Sequence, residues 1–300
     1  VRPDTSNEVY GGYTCIKGRQ LVEQMYQEDR LTHCLGRDAG GKLSPISSED
    51  ALDEIAEKLK QILAEHGPRA IATYNGTVAF QNSGQLAYSR AWHDALDSPS
   101  YYTSVTIDQP AKVFVSSRMG FWEAGNHFFN DSDVTLVIGN NTMVSHFAVP
   151  GGVPSVSPYD QMRNAQKRGQ KIIAVDPRQT ELSRRADLHL QIKPGQDAAL
   201  LAGMIRHILA NDLHDQEFCA QYTSGLDELR GEVEAFDLER VAAATDLTAA
   251  QIIEAAELFA AGPRGVAVTG TGPEMGPHPN LTHHLVQSLN AICGRFYRAG

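Results

Sequence analysis

Short apolar runs alternate with amphipathic stretches along the chain, a pattern typical of strands that alternate with helices. Residues 133–138 (DVTLVI) are almost continuously aliphatic or β-branched, as in a strand buried on both faces. Similar runs at 171–175, 188–192 and 265–268 predict three further strands. The pattern therefore predicts an α/β fold with doubly wound, mostly parallel sheets.

Helical spacing of apolar residues predicts the segments between these strands. One helix is expected after the cap residues Ser47 and Ser48 and before Gly67, followed by a short strand at 70–74. Further helices are expected at 81–96, 158–168, 196–209 and 280–292, with other helical segments up to Ala261. The first 45 residues or so read as irregular.

Each of the four strands from 133 onward ends in residues suited to ligand contact. These are Gly139-Asn140-Asn141, Asp176-Pro177-Arg178, Lys193-Pro194-Gly195 and Gly270-Thr271-Gly272. Parallel sheets bind ligands beyond the carboxyl ends of their strands. Asparagine amides suit a purine edge, Asp176 a ribose diol or guanine edge, and Arg178 a phosphate. The alternative is that these residues only form turns.

Composition and charge narrow the classes of function. The 300 residues suffice for about two domains, with 42% hydrophobic and 21% charged residues. The net charge of −10 argues against broad nucleic-acid binding. No apolar run reaches the roughly 18 residues of a membrane span. Four dispersed cysteines do not form a disulfide framework, so a reducing, cytoplasmic location is expected.

Two single residues carry further hypotheses. Cys15, beside Lys17 in a Gly-rich stretch, is either a reactive thiol, a cluster ligand or an ordinary small side chain. Asp108, before Pro110, is either a metal ligand, an acid or base, or a cap for a helix that starts at Pro110. Gly276 follows Gly272 at the wrong spacing for an NAD fingerprint, so NAD is not predicted.

Several motifs in order resemble the molybdopterin oxidoreductases of the dimethyl sulfoxide reductase superfamily. The matching segments are Cys15-Ile16-Lys17-Gly18-Arg19, Arg30-Leu31-Thr32-His33, Ser47 to Leu59, Val137 to Asn141 with Ser145-His146, Ile173 to Arg178 with Thr180, Lys193 to Asp197, and Gly270 to Gly272 with Asn290 and Gly294. The resemblance runs almost end to end. The ordered set is far more specific than any one of its members.

The resemblance implies two bound molybdopterin guanine dinucleotides carrying molybdenum or tungsten. It implies that Cys15 is the last ligand of a 4Fe-4S cluster and that Lys17 lies between cluster and pterin. The residues implied to contact the dinucleotide are Gly139, Asn140, Asn141, His146, Asp176, Arg178, Thr180, Lys193, Gly195, Asp197, Gly270, Thr271 and Gly272.

The resemblance also implies a domain organisation. Residues 1–45 are expected to be the remnant of an iron–sulfur domain and residues 46–130 an α/β domain around the metal. A Rossmann-like dinucleotide-binding domain at 131–275 is expected to be inserted there, and the chain returns to the first α/β domain at 276–300. Family members carry three further cysteines before the one matched by Cys15, and continue past Gly300. The chain is therefore expected to be an internal segment of a catalytic subunit.

The metal-ligand position departs from the family pattern. Aligned on Pro110, Ile107 takes the position of the ligand and Asp108 that of a following histidine. A shift by one residue makes Asp108 the ligand. The implied activity is oxygen-atom or hydride transfer on a small substrate, with electrons passed through the cluster to a partner protein. The alternatives are a cofactor-free, non-catalytic subunit of a respiratory complex and a non-redox hydratase on the same cofactor.

Overall fold

A computed structural model of the chain describes residues 2–7, 11–76, 82, 84–119, 132–145 and 157–296. The chain folds into two compact units, formed mainly by Thr14–Ile107 and Asp108–Gly300. Within the described ranges, no helix has both the length and the apolar character that crossing a bilayer requires.

The secondary structure of the described residues alternates between strands and helices in the second unit. The strands are β1 (Cys34–Arg37), β2 (Leu43–Ile46), β3 (Thr73–Asn75), β4 (Tyr101–Thr103), β5 (Val134–Ile138), β6 (Lys171–Val175), β7 (Leu188–Leu190) and β8 (Gly265–Thr269). The helices are α1 (Ile16–Arg19), α2 (Leu21–Tyr26), α3 (Ser48–His66), α4 (Gln85–Ala95), α5 (Val105–Asp108), α6 (Pro110–Met119), α7 (Thr142–Ser145), α8 (Pro158–Lys167), α9 (Asp197–Ala210), α10 (Gln216–Tyr222), α11 (Leu226–Val233), α12 (Leu238–Thr245), α13 (Ala249–Ala261), α14 (Thr271–Glu274) and α15 (Pro279–Ile292). Short 3₁₀ turns occupy Pro68–Ala70 and Ser183–Arg185.

The first 45 residues are more regular than their composition predicts. They contain α1 and α2, and β1 pairs with β2 as an antiparallel hairpin. The side chain of Asp38 forms the hairpin turn by accepting hydrogen bonds of 2.9 Å from the amides of Gly40 and Lys42, and Gly41 has a φ of +84°. The expectation of an irregular segment was wrong because this local turn chemistry was not recognised.

Helix α3 begins and ends where the sequence predicts. Ser47 Oγ accepts a hydrogen bond from the amide of Asp50, and Gly67 ends the helix at a φ of +76°. The next strand starts at Thr73, later than predicted, because Pro68–Ala70 form a 3₁₀ turn after Gly67. Strands β3 and β4, which precede and follow α4 in the chain, form a parallel pair.

The second unit contains a four-stranded sheet in the order β7-β6-β5-β8, and every pair is parallel. This confirms the predicted α/β class with a parallel sheet. From β5 the chain moves outward to β6 and β7, and then returns to β8 on the other side of β5. The strand order therefore reverses between β5 and β8, the position at which open α/β sheets bind ligands.

Both faces of this sheet are buried. Val134, Leu136 and Ile138 of β5 join a larger core that includes side chains of α9, α13 and α15. Val137 faces the opposite side, where it joins a smaller core with side chains of α7 and α8. Successive strand residues point to opposite faces, so a strand covered on both sides needs a continuous apolar run. Helices on both faces match the doubly wound arrangement that the sequence predicts.

Candidate cofactor-binding site

The turns after β5 and β8 are joined by backbone hydrogen bonds at the point where the strand order reverses. The amide of Gly270 donates to the carbonyl of Ile138 at 2.8 Å, and the amide of Gly272 to the carbonyl of Gly139 at 3.4 Å. Gly139 in turn donates to the carbonyl of Val175 at the end of β6, at 2.8 Å. Three of the four predicted turns therefore lie along one edge in fixed register.

The glycines of these two turns are required by their close packing. Gly139 has a φ of +56°, and a Cβ there would overlap the ring of Pro273. A Cβ on Gly270 would overlap the carbonyl of Gly139 and lie 2.6 Å from Asn140 Cβ. Packing between the turns thus accounts for Gly139 and Gly270, while Thr271 and Gly272 remain exposed at the edge.

Asn141 presents an unsatisfied acceptor at this edge. Its Nδ2 donates to Glu181 Oε2 at 2.6 Å, a bond that lowers the pKa of the Glu181 carboxyl. Its Oδ1 is buried and has no hydrogen-bond partner among the described residues. The neighbouring Asn140 is buried and its Oδ1 accepts from Ser145 Oγ at 3.5 Å. His146, predicted to contact the same ligand, lies outside the described residues.

The turn after β6 uses its polar residues partly for its own structure. Asp176 is half-buried, and its Oδ1 accepts a 2.9 Å hydrogen bond from the amide of Arg178, whose side chain is exposed. Thr180 is buried, and its Oγ1 accepts a hydrogen bond from the amide of Ser183, the first residue of the following 3₁₀ turn. The same hydroxyl donates to Ser183 Oγ. The carboxylate of Asp176 and the guanidinium of Arg178 are the groups this turn offers to a ligand.

The turn after β7 brings a second carboxylate to the edge. Lys193 is exposed, and Gly195 has a φ of +81°. A Cβ added to Gly195 would lie 3.0 Å from Cδ of Pro277. Asp197 is the first residue of α9, and burial raises the pKa of its carboxyl, helped by the charge of Asp176. The carboxylates of Asp176 and Asp197 therefore lie within electrostatic reach of each other, and the exposed cations Arg178 and Lys193 belong to the same two turns.

Cys15 lies in the other unit, immediately before α1. Hydrogen bonds from the backbone of Gly18 lower the pKa of its thiol most, with smaller effects of the Lys17 backbone and charge, against a raising effect of burial. The side chain of Lys17 is exposed. In the part of the chain that the structure describes, no three His, Cys, Asp or Glu side chains are grouped to hold a metal. Cys15 is thus a thiol biased toward thiolate, without further ligands among these residues.

Asp108 precedes the helix that the sequence predicts from Pro110 onward, and α6 does begin at Pro110. The carboxyl of Asp108 is half-buried and within electrostatic reach of Lys112. Gln109 Nε2 donates to Thr271 Oγ1 at 3.3 Å. The segment 108–109 therefore lies against the turn that follows β8, whereas Ile107 is 58% exposed.

Sequence reasoning missed several polar residues near this edge. Glu181 partners Asn141, the buried Glu274 lies 3.5 Å from His283 Nδ1, and the half-buried Lys112 lies within electrostatic reach of Glu274. Periodicity does not reveal such residues, because a charged side chain within an amphipathic or turn segment is usually solvated. The available indication was Glu274 itself, an acidic residue between Pro273 and Met275 in an otherwise uncharged stretch.

A family profile for molybdopterin oxidoreductases matches residues 30–300. The acetylene hydratase of Syntrophotalea acetylenica is 34% identical over 82% of this chain and 33% of its own length. The assimilatory nitrate reductase catalytic subunit of Bacillus subtilis is 29% identical over 89% of this chain and 37% of its own. The solved structure of acetylene hydratase from Pelobacter acetylenicus superimposes with a TM-score of 0.77 at 29% identity, covering 94% of this chain and 38% of that protein.

The chain spans about a third of the length of these relatives. The family match begins at residue 30, after Cys15 and Lys17, and includes the whole parallel sheet with its four turns. The predicted superfamily is thereby confirmed: this chain belongs to the molybdopterin oxidoreductase family.

Proposed function

We propose that this chain is part of the catalytic subunit of a molybdenum or tungsten oxidoreductase, and that the carboxyl edge of its four-stranded sheet binds a molybdopterin guanine dinucleotide. The observation that carries the proposal is Asn141 Oδ1, which is buried without a hydrogen-bond partner among the described residues and lies where the strand order reverses. Leaving a buried acceptor unpaired costs about 1–3 kcal/mol. A ligand N–H at this position offsets that cost, so the residues present fit the group.

The polar groups along the edge match the parts of such a dinucleotide. Asp176 and Asp197 provide two carboxylates for the N1–H and 2-amino groups of guanine, or for a ribose diol. Arg178 and Lys193 are exposed cations of the same two turns and suit phosphate oxygens. The exposed Thr271 and Gly272 leave backbone accessible on the other side of Asn141. In an acidic chain, phosphates need such local cations.

Cys15 is proposed as a ligand of a 4Fe-4S cluster in the complete protein. Cluster ligands are thiolates, and the lowered pKa of Cys15 favours that form. Lys17, two residues on, supplies an exposed cation that would favour the more negative, reduced centres. These two residues would form the electron path between the metal site and a redox partner protein, in a reducing, cytoplasmic compartment.

The metal would supply oxygen-atom or hydride exchange with a small substrate. For this chain the reacting side chain is proposed to be Asp108, which lies next to the turn that follows β8. A carboxylate is a hard ligand suited to a high-valent metal, and it can also hold or release a proton beside bound substrate. The two roles differ in whether Asp108 touches the metal or the substrate.

The similarity to acetylene hydratase favours a second candidate, hydration without net electron transfer on the same cofactor. A cofactor-free, non-catalytic subunit is the third possibility. Two features argue against it: the four polar turns at the carboxyl edge of the sheet, and Asn141 Oδ1, which is buried without a partner among the described residues.

The test is dye-linked turnover by the complete protein purified with its cofactor. Oxidation of a reduced viologen by small oxo compounds, or reduction of the oxidised dye by small hydride donors, supports an oxidoreductase. Hydration of a small unsaturated substrate without dye turnover would instead support the hydratase. A protein that holds neither molybdenum nor tungsten would contradict both.

A further inference from the structure

A side-chain hydrogen bond joins the turn after β5 to the segment that follows β6. Asn141 Nδ2 donates to Glu181 Oε2 at 2.6 Å, although the two residues lie 40 positions apart in the chain. The backbone of Asn141 is held separately, since its carbonyl accepts hydrogen bonds of 3.0 Å from the amides of Val144 and Ser145 in α7. With the backbone fixed, the orientation of the Asn141 side-chain amide depends on the group that faces it.

Glu181 accepts hydrogen bonds through its side chain and donates none. The hydrogen bond from Asn141 lowers the pKa of the Glu181 carboxyl most, with smaller lowering effects of its own backbone and of the charges of Arg178 and Arg184. The carboxyl is therefore ionised at pH 7, and an ionised carboxylate has only acceptor oxygens. The atom of Asn141 that faces it at 2.6 Å is the amide nitrogen, because an amide oxygen there would bring two acceptors into contact.

This orientation decides what the other end of the amide offers. Because Nδ2 of Asn141 is turned to Glu181, Oδ1 is turned away from Glu181, and it is buried without a hydrogen-bond partner among the described residues. A buried amide oxygen pairs with an N–H or O–H group and repels the oxygens of a phosphate or a carbonyl. An amide turned the other way would present N–H groups and would select the opposite kind of ligand atom.

We propose that Glu181 is a positioning residue, which fixes the amide of Asn141 so that this position takes an N–H donor of the bound ligand rather than an oxygen. The ligand itself rests on the proposed function, in which the donor is a ring N–H or amino group of the dinucleotide. The phosphates are left to Arg178 and Lys193. The orientation of the amide does not depend on the proposed function, because both of its partners belong to this chain.

The test compares three variants of the complete protein, chosen by what each side chain can do toward Asn141. Glu181→Gln keeps the shape and an acceptor oxygen, Glu181→Met keeps only the approximate shape, and Glu181→Lys offers only donors. The rate at which guanine nucleotide leaves the protein after dilution is measured for each. We expect a rate within about twofold of wild type for Glu181→Gln, about fivefold faster for Glu181→Met and about tenfold or more for Glu181→Lys.

A purely electrostatic role of Glu181 predicts the opposite result for the lysine variant. Glu181 lies within electrostatic reach of Arg178, so replacing its negative charge by a positive one would strengthen the attraction for phosphates and slow release. Glu254→Lys makes the same change of charge at an exposed position of α13 and should release nucleotide at the wild-type rate. Slower or unchanged release from Glu181→Lys, or equal release from Glu181→Gln and Glu181→Met, would overturn the proposal.

A second measurement needs no ligand and therefore separates this proposal from the proposed function. Neutron diffraction from deuterium-exchanged crystals of the complete protein locates the two deuterons of the Asn141 amide, which X-ray diffraction does not show at ordinary resolution. The deuterated nitrogen should face Glu181 in wild type and turn away from residue 181 in Glu181→Lys. A wild-type nitrogen turned away from Glu181 would overturn the positioning. Wild-type protein without guanine nucleotide, but with the nitrogen toward Glu181, would overturn the proposed function and support the positioning.

Discussion

The amide of Gly270 donates a 2.8 Å hydrogen bond to the carbonyl of Ile138, so the turns after β8 and β5 leave the sheet side by side. Gly139, Asn140 and Gly270 pack closely between the two turns, which is why Gly139 and Gly270 lack side chains. Asn141 and Thr271 then lie at the edge on either side of this junction. The candidate cofactor-binding site therefore depends on close packing between the turns that follow β5 and β8.

Gly270→Ala should therefore destabilise the second unit. The added Cβ would meet Asn140 Cβ and the carbonyl of Gly139, and such overpacking costs about 1–3 kcal/mol. Chemical denaturation measures the loss as a lower midpoint at unchanged slope.

Gly231→Ala is the matched control, because that glycine lies within α11 and has open space around its Cβ position. It should be neutral or stabilise by about 0.5–1 kcal/mol. Equal stability of Gly270→Ala and the wild type would show that the two turns leave room for a Cβ at residue 270.

Much of the second unit could be predicted from sequence, because strands buried on both faces must be continuously apolar. Residues 171–175 and the start of α6 at Pro110 were predicted to the residue. The pairing of β8 beside β5, which creates the site, could not be predicted from periodicity, since it joins residues about 130 apart. The buried Glu274 was missed for the same reason: its partners come from other elements.

Stability should depend on pH through His283. The folded pKa of about 4 lies below the ordinary value of 6.5, so the unfolded chain binds a proton that the folded chain does not. The unfolding free energy should thus fall as the pH drops from 6.5 toward 4, by up to about 3 kcal/mol from this group. Glu274, whose pKa is raised by burial, acts in the opposite direction.

The measurement is the difference in unfolding free energy between wild type and His283→Gln across this pH range. Taking the difference removes the titrating groups that lie away from His283, so it reports His283 together with Glu274, 3.5 Å from it. A difference that stays constant from pH 6.5 to 4 would mean that His283 is not held neutral by burial.

Cys15→Ala in the complete protein should abolish the visible absorption of a 4Fe-4S cluster. Cys34→Ala is the control, because Cys34 is an exposed thiol in β1 of the same unit. The control should keep its absorption. An intact cluster in the Cys15→Ala protein would remove Cys15 from the electron path.

Asp108→Asn should lower turnover, and the spectrum of the metal distinguishes how. A lost metal ligand changes the spectrum together with turnover, whereas a lost acid or base lowers turnover and leaves the spectrum nearly intact. Asparagine caps a helix about as well as aspartate, so a capping role predicts no effect on either. Wild-type turnover and spectrum would exclude Asp108 from the active site.

The central claim is that the carboxyl edge of the sheet holds a molybdopterin guanine dinucleotide. The most direct test is the molybdenum, tungsten and guanine-nucleotide content of the complete protein after gel filtration, for wild type, Asp176→Ala and Asp187→Ala. Asp187 immediately precedes β7 at the opposite end of the sheet, where it pairs with Lys171 at 2.8 Å, so its variant controls for lost stability alone. We expect metal and nucleotide in wild type and Asp187→Ala, and binding weakened about fivefold to hundredfold in Asp176→Ala, since a lost ligand hydrogen bond costs about 1–3 kcal/mol. Wild-type protein without guanine nucleotide, or Asp176→Ala with its full content, would contradict the account.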